Sequence, residues 1–112
     1  MAQVNYPGLE THPDHALARE LLSGFGGMLS FRPKGGTQAA EHMMSRLRIP
    51  CLTPSLGGVE TLLTRPVTTS HAGMSAQDRE RIGITDDLVR VSCGIESAED
   101  LVEDFRQALE GA

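Results

Sequence analysis

The spacing of apolar residues changes several times along this chain, and each change marks an element. Ala40, Met43, Met44 and Leu47 fall at i, i+3, i+4 and i+7. That is one face of a helix, capped by Thr37 and unable to continue past Pro50. Leu101, Val102, Phe105, Ala108 and Leu109 form a second helical stripe, expected to be buried. Ser97 is its N-cap, and Glu99 and Asp100 lie in its first turn, where the helix dipole favours acids. Between these helices the period drops to two. From Leu88 to Cys93, Val89, Val91 and Cys93 share one strand face, and Leu88, Arg90 and Ser92 share the other.

Met28–Arg32 reads as another strand, and Pro33-Lys34-Gly35-Gly36 as the turn after it. Val4-Asn5-Tyr6 is a brief extended entry stopped by Pro7-Gly8. A short helix is expected over about Pro13 to Leu22, capped by Thr11, with Leu17, Leu21 and Leu22 on one side. Gly24, Gly26 and Gly27 end it. The segment Cys51 to Arg65 reads as extended on both sides of Gly57-Gly58, and Pro66 closes it. Val67 to Gly73 has no helical period and reads as loop. Ser75 and Asp78 form a capping pair for a short helix ending near Gly83. The pattern predicts one α/β domain over residues 1–112, with three or four strands in a short sheet and helices packed mainly on one face.

Composition narrows the function classes. Ten basic residues against fifteen acidic give a net charge of −5, against the basic face that non-specific nucleic-acid binding needs. No apolar run approaches a membrane span, and Met1 to Asn5 lacks the pattern of a signal peptide. Cys51 and Cys93 form no CxxC and are expected to be buried thiols. Lys34 is the single lysine; the other nine basic residues are arginines.

Two places carry candidate chemistry. Arg90 stands alone in an apolar strand, where a charge is costly unless it is paired or meets a ligand. Its planar fork suits a carboxylate; an internal ion pair with Asp86, Asp87 or Glu60 would satisfy it equally. Ser55-Leu56-Gly57-Gly58 is either a turn or bulge between strands or a turn whose donors are aimed at an anion. It has no GxSxG elbow and no triad order, so it suits hydrogen bonding, not attack. His12, His15 and His42 have no metal-ligand spacing; His71, beside Ser70, stays open. No metal site is expected.

Taken in order, several segments resemble one family. They are Val4-Asn5-Tyr6-Pro7-Gly8-Leu9 with His12-Pro13, Gly24 to Phe31, Ser55-Leu56-Gly57-Gly58-Val59-Glu60-Thr61-Leu62, Pro66 to His71, Gly83 to Asp86, and Leu88 to Ser92 with Gly94-Ile95-Glu96. Together they resemble the C-terminal domain of the Cys/Met-metabolism enzymes that depend on pyridoxal phosphate (PLP), the transsulfuration family of cystathionine γ-synthase, cystathionine γ-lyase and methionine γ-lyase. The combination of Ser-Leu-Gly-Gly with a Leu-Val-Arg strand is more specific than either piece.

The resemblance implies the small C-terminal domain of the aminotransferase-like fold (fold type I), with a short, mostly antiparallel sheet, a homo-oligomer and a cytoplasmic setting. It implies a sulfur amino acid or acyl-homoserine substrate, with elimination or replacement at Cβ or Cγ. It matches Ser55, Ser70 and Arg90 to the family's substrate-binding positions at the α-carboxylate. It assigns no catalytic and no cofactor-binding residue to this chain, because the family's Schiff-base lysine lies in a larger domain upstream and Lys34 does not match that motif. The implied role is therefore part of an enzyme, inactive alone. The alternatives are a small amino-acid-binding module without catalysis, or an inactive gene fragment. Pro54 stands where some members that handle cystathionine carry glutamate, so the resemblance does not single out the cystathionine lyases.

Overall fold

A computed structural model describes residues 1–110; Gly111 and Ala112, the end of the expected domain, lie outside the described residues. Five strands and four α-helices follow in the order β1 (Gln3–Asn5), α1 (His15–Leu21), β2 (Met28–Arg32), α2 (Gly36–Arg46), β3 (Cys51–Leu52), β4 (Leu62–Thr64), α3 (Ala76–Arg81), β5 (Val89–Ser92) and α4 (Ala98–Leu109). A 3-10 turn, Pro66–Thr68, starts at the closing proline and runs into the stretch expected to be loop. The sheet order is β1-β2-β5-β4-β3. β5 is central and antiparallel to both β2 and β4, whereas β3 runs parallel to β4. A short, mostly antiparallel sheet was expected, and the strand count is five instead of three or four.

The alternation in β5 decides how the layers stack. Val89 and Val91 point into a core with Phe31 and Leu63 of the flanking strands, Ala40 and Met43 of α2, and Ala108 of α4. Phe105 meets Phe31 edge to face, with ring centroids 6.3 Å apart. Each large side chain buried here contributes about 1.5–3 kcal/mol. The two helices are tied where α2 ends: Asp104, buried in α4, accepts hydrogen bonds from the backbone N–H groups of Arg48 (2.9 Å) and Ile49 (2.8 Å). These are donors left free beyond the helix, which a carboxylate satisfies well.

Several local expectations need correction. α1 buries nothing: Leu17, Leu21 and Leu22 are exposed, Leu21 at 72%. A period-3.6 stripe identifies an apolar face but not a surface to cover it. Val102 is 69% exposed; it lies off the line of Leu101 and Phe105 and borders an open apolar groove of about 520 Å³ with Met1 and Val4. α2 starts two residues early, behind an N-cap at Gly35 in the left-handed region (φ 100°), so Thr37 is inside the helix. The Ser75 and Ser97 caps do form, accepting from the N–H groups of Asp78 and Asp100. Both cysteines are exposed, not buried: Cys51 on the terminal strand of the sheet and Cys93 just beyond β5. Partial desolvation of its sulfur by neighbouring groups, together with Glu96, raises the Cys93 thiol's pKa; Glu60, by hydrogen bond and charge, raises that of Cys51.

Candidate functional site

The face of the sheet opposite the core is polar around Arg90. Ser30 of β2 and Thr64 of β4 are the direct partners of Arg90 in β5. Antiparallel partners point the same way, so a serine, a threonine and an arginine stand in a row. Asn5 continues the row, its amide donating to Ser30 Oγ at 3.0 Å. A shallow recess of about 220 Å³ is lined by Asn5, Met28, Leu29, Ser30 and Arg90.

Above this face lies the stretch from Thr53 to Thr61, which is a loop. The expected extension on both sides of Gly57-Gly58 is confined to two residues of β3 and three of β4. The loop is held by side chains of β5. Arg90 Nη2 donates to the carbonyls of Pro54 (2.8 Å) and Ser55 (3.1 Å). Ser92 Oγ accepts from the Gly57 N–H at 2.9 Å, where Gly57 has φ +80°. Further on, Ile95 N–H donates to the Val59 carbonyl at 2.9 Å. A side chain on Gly94 would lie 2.3 Å from that same carbonyl, so only glycine permits the approach.

Arg90 therefore meets Ser55, and the ion pair that would have explained it otherwise does not form. Asp87 pairs with Arg32 at 3.1 Å, Asp86 lies 3.6 Å from Arg79, and Glu60 accepts from the Cys51 thiol. Arg90 has no carboxylate partner among the described residues. Its Nε is buried with no hydrogen bond. An unsatisfied guanidinium nitrogen costs more than an ordinary donor, and a bound anion would remove that cost.

Ser70 is placed less directly. It sits in the turn after the 3-10 segment, its hydroxyl 2.7 Å from His71 Nδ1. No hydrogen bond joins it to Ser55 or Arg90 among the described residues. The neighbouring Thr69 hydroxyl lies 2.8 Å from that of Thr64, the residue beside Arg90. The turn bearing Ser70 is thus fastened to the same row. Lys34 is exposed in the turn before α2. The histidines do not converge: His12 Nδ1 accepts from the Asp14 N–H, and His15 Nδ1 lies against the Pro7 carbonyl.

Two contributors escaped the sequence reading. Ser92 shares the strand face of Arg90, a visible signal. Glu96 accepts from the N–H (2.8 Å) and hydroxyl (2.6 Å) of Thr61, thirty-five residues away, with no local signal. Those two bonds hold its carboxyl below the usual range.

The model of the Cys/Met metabolism PLP-dependent enzymes matches residues 1–110. The chain belongs to this family. Cystathionine gamma-lyase of Saccharomyces cerevisiae is 49% identical over 97% of the chain, which spans 28% of that protein. O-succinylhomoserine sulfhydrylase of Pseudomonas aeruginosa is 44% identical over 96% of the chain and 27% of its own length. The crystal structure of cystathionine gamma synthase from Xanthomonas oryzae pv. oryzae, in complex with cystathionine, superposes with a TM-score of 0.91 at 50% identity, covering 96% of this chain and 28% of that one. The fold is a fragment of the PLP-dependent cystathionine γ-synthase fold. The chain spans little more than a quarter of these relatives. The family depends on PLP and acts on sulfur amino acids or acyl-homoserines.

Proposed function

We propose that this chain is the C-terminal, substrate-holding part of a transsulfuration-type enzyme, and that Arg90 and Ser55 bind the α-carboxylate of its substrate, with Ser70 on the rim of the same site. The observation that carries this reading is Arg90. It is an arginine in the central strand, tied on one nitrogen to the Pro54 and Ser55 carbonyls, with a buried Nε free and Asp86, Asp87 and Glu60 engaged elsewhere. A carboxylate accepts from two guanidinium nitrogens at once, and the recess beside Ser30 leaves room for one.

The residues present do not fit the cofactor. A Schiff base needs an amine held at the reacting carbon, and the one lysine, Lys34, is an exposed turn residue. When bound elsewhere in the enzyme, PLP serves as an electron sink; the part of this chain is to bind and orient. Alone it is inactive, in our reading. The intact enzyme is a cytoplasmic homo-oligomer. Leu17, Leu21 and Leu22, exposed on a helix that buries nothing in this chain, support a covering surface supplied by the rest of it.

A chimaera tests the site. Residues 1–110 replace the matching segment of the yeast lyase, and Arg90→Lys is compared with the parent chimaera. Losing the fork is expected to raise KM by about 10–100-fold with a smaller change in kcat. An unchanged KM would exclude Arg90 as the anchor. Two measurements address the isolated chain. Mixed with PLP and dialysed, it should keep no aldimine absorbance; a band lost in Lys34→Ala would refute its inactivity. Calorimetry with methionine or cystathionine should show no heat of binding, whereas clear affinity would favour a free-standing amino-acid-binding module.

A further inference from the structure

The loop from Pro54 to Thr61 runs alongside β5 in the same direction, and its ties climb in step. Arg90 holds residues 54 and 55, Ser92 holds 57, Ile95 holds 59, and Glu96 holds 61. Between these ties the loop is exposed throughout from Pro54 to Glu60. It forms no ladder that would fix its register. The meeting of Ser55 with Arg90 therefore depends on where the loop is stopped.

The stop is Thr61. It is 0% exposed, and every polar group it carries is used. Its N–H and hydroxyl donate to the two carboxylate oxygens of Glu96, at 2.8 and 2.6 Å. Its hydroxyl accepts from the Gly94 N–H at 3.0 Å, and its carbonyl accepts from the Cys51 N–H at 2.9 Å. Bonds to a charged acceptor are the stronger kind. Sliding the loop by one residue would leave a buried threonine and a carboxylate unpaired together.

We infer that Glu96 is a positioning residue: its two-pronged grip on Thr61 sets the register of the loop on β5, and so places Ser55 against Arg90. The register itself is a statement about this chain; its use in holding a carboxylate rests on the function proposed above.

The test uses the whole 112-residue chain, with amide hydrogen exchange followed residue by residue by NMR. Glu96→Gln keeps the size and loses the charge. Thr61→Val removes the hydroxyl at nearly constant volume, and Thr61→Ser restores it. In E96Q and T61V the Gly57 amide, which donates to Ser92 Oγ and makes no bond to Glu96 or Thr61, is expected to exchange about tenfold faster. The Val89 and Val91 amides should stay within about twofold, and T61S should follow the parent. If Gly57 is unmoved in both variants, or the core amides accelerate as much as Gly57, the proposal is overturned; the second result would mean that Glu96 only stabilises the fold. In the chimaera, E96Q should raise KM more than it lowers kcat. If Arg90→Lys leaves KM unchanged while the exchange result holds, the carboxylate assignment fails and the register assignment stands.

Discussion

The two faces of this sheet solve opposite problems with one strand. On the helix-covered face, Val89 and Val91 lie among Phe31, Leu63 and Met43, and the interactions are dispersion and burial. On the other, Arg90 and Ser92 lie under a loop with no regular structure, and the interactions are a few directed hydrogen bonds. The first face tolerates no vacancy, because packed interiors relax only partly around a lost side chain. The second keeps a donor unsatisfied, the buried Nε of Arg90. Packing is concentrated on one side and an unpaired donor is kept on the other, so substitutions should separate the two.

The largest expected effect is on the covered face. Phe31, 2% exposed, joins the strand core to Phe105 of α4. Phe31→Ala should cost about 3–5 kcal/mol, a large fraction of the stability of a small domain, read as a fall in the urea midpoint by circular dichroism. A loss under about 1 kcal/mol would break the comparison at its root, since the core would not depend on its largest ring.

Asp104 should come next. Asp104→Ala leaves the Arg48 and Ile49 N–H groups without their acceptor. The expected cost is about 1–3 kcal/mol, and a cycle with Gln107→Ala, whose amide also donates to Asp104, should be non-additive. Acid provides a related test. Burial alone would raise the carboxyls of Asp104 and Asp87, but hydrogen bonds outweigh it. The Ile49 and Arg48 N–H groups hold Asp104 low, and the Thr85 hydroxyl and Arg32 hold Asp87 low. A carboxyl lowered in the native state stabilises it fully above its unfolded value, near about 3.9 for aspartate. That contribution disappears as the pH falls through the lowered native value. Stability should therefore be flat near neutrality and drop steeply in acid, and Asp104→Asn should flatten the drop. An unchanged acid limb would remove Asp104 from the account.

The covered face was the legible one. A period of two in β5 and of 3.6 in α2 and α4 specified which residues meet, because burial repeats with the geometry of the backbone. Leu21 and Val102 show where that reasoning stops: periodicity states which side of a helix is apolar, not whether a surface meets it, and both stay exposed in this chain. The polar face was legible in part. Arg90 stood out because a charge within a strand is anomalous, and Ser55 because glycines follow it. Glu96 did not stand out, since a carboxylate after a strand is ordinary; only the fold brings Thr61 to it across thirty-five positions. The Arg90 alternatives could not be ranked from sequence either, because Asp86, Asp87 and Glu60 were equally eligible until each was found engaged with another group.

The smallest expected effect is the sharpest test of the comparison. Arg90→Met removes two hydrogen bonds to carbonyls, each of modest net value because those carbonyls can turn to water on an exposed loop. It also removes the desolvated, unpaired Nε, and methionine retains much of the apolar contact of the arginine stem. Loss and gain nearly cancel, so the chain should change stability by less than about 1 kcal/mol, far less than for Phe31→Ala. A loss of several kcal/mol would instead mean that Arg90 is a structural strut bracing the loop, and its free nitrogen an incidental cost of that role. A near-neutral result, set beside a raised KM for Arg90→Lys in the chimaera, would place the arginine's value in the complex with substrate and not in the fold.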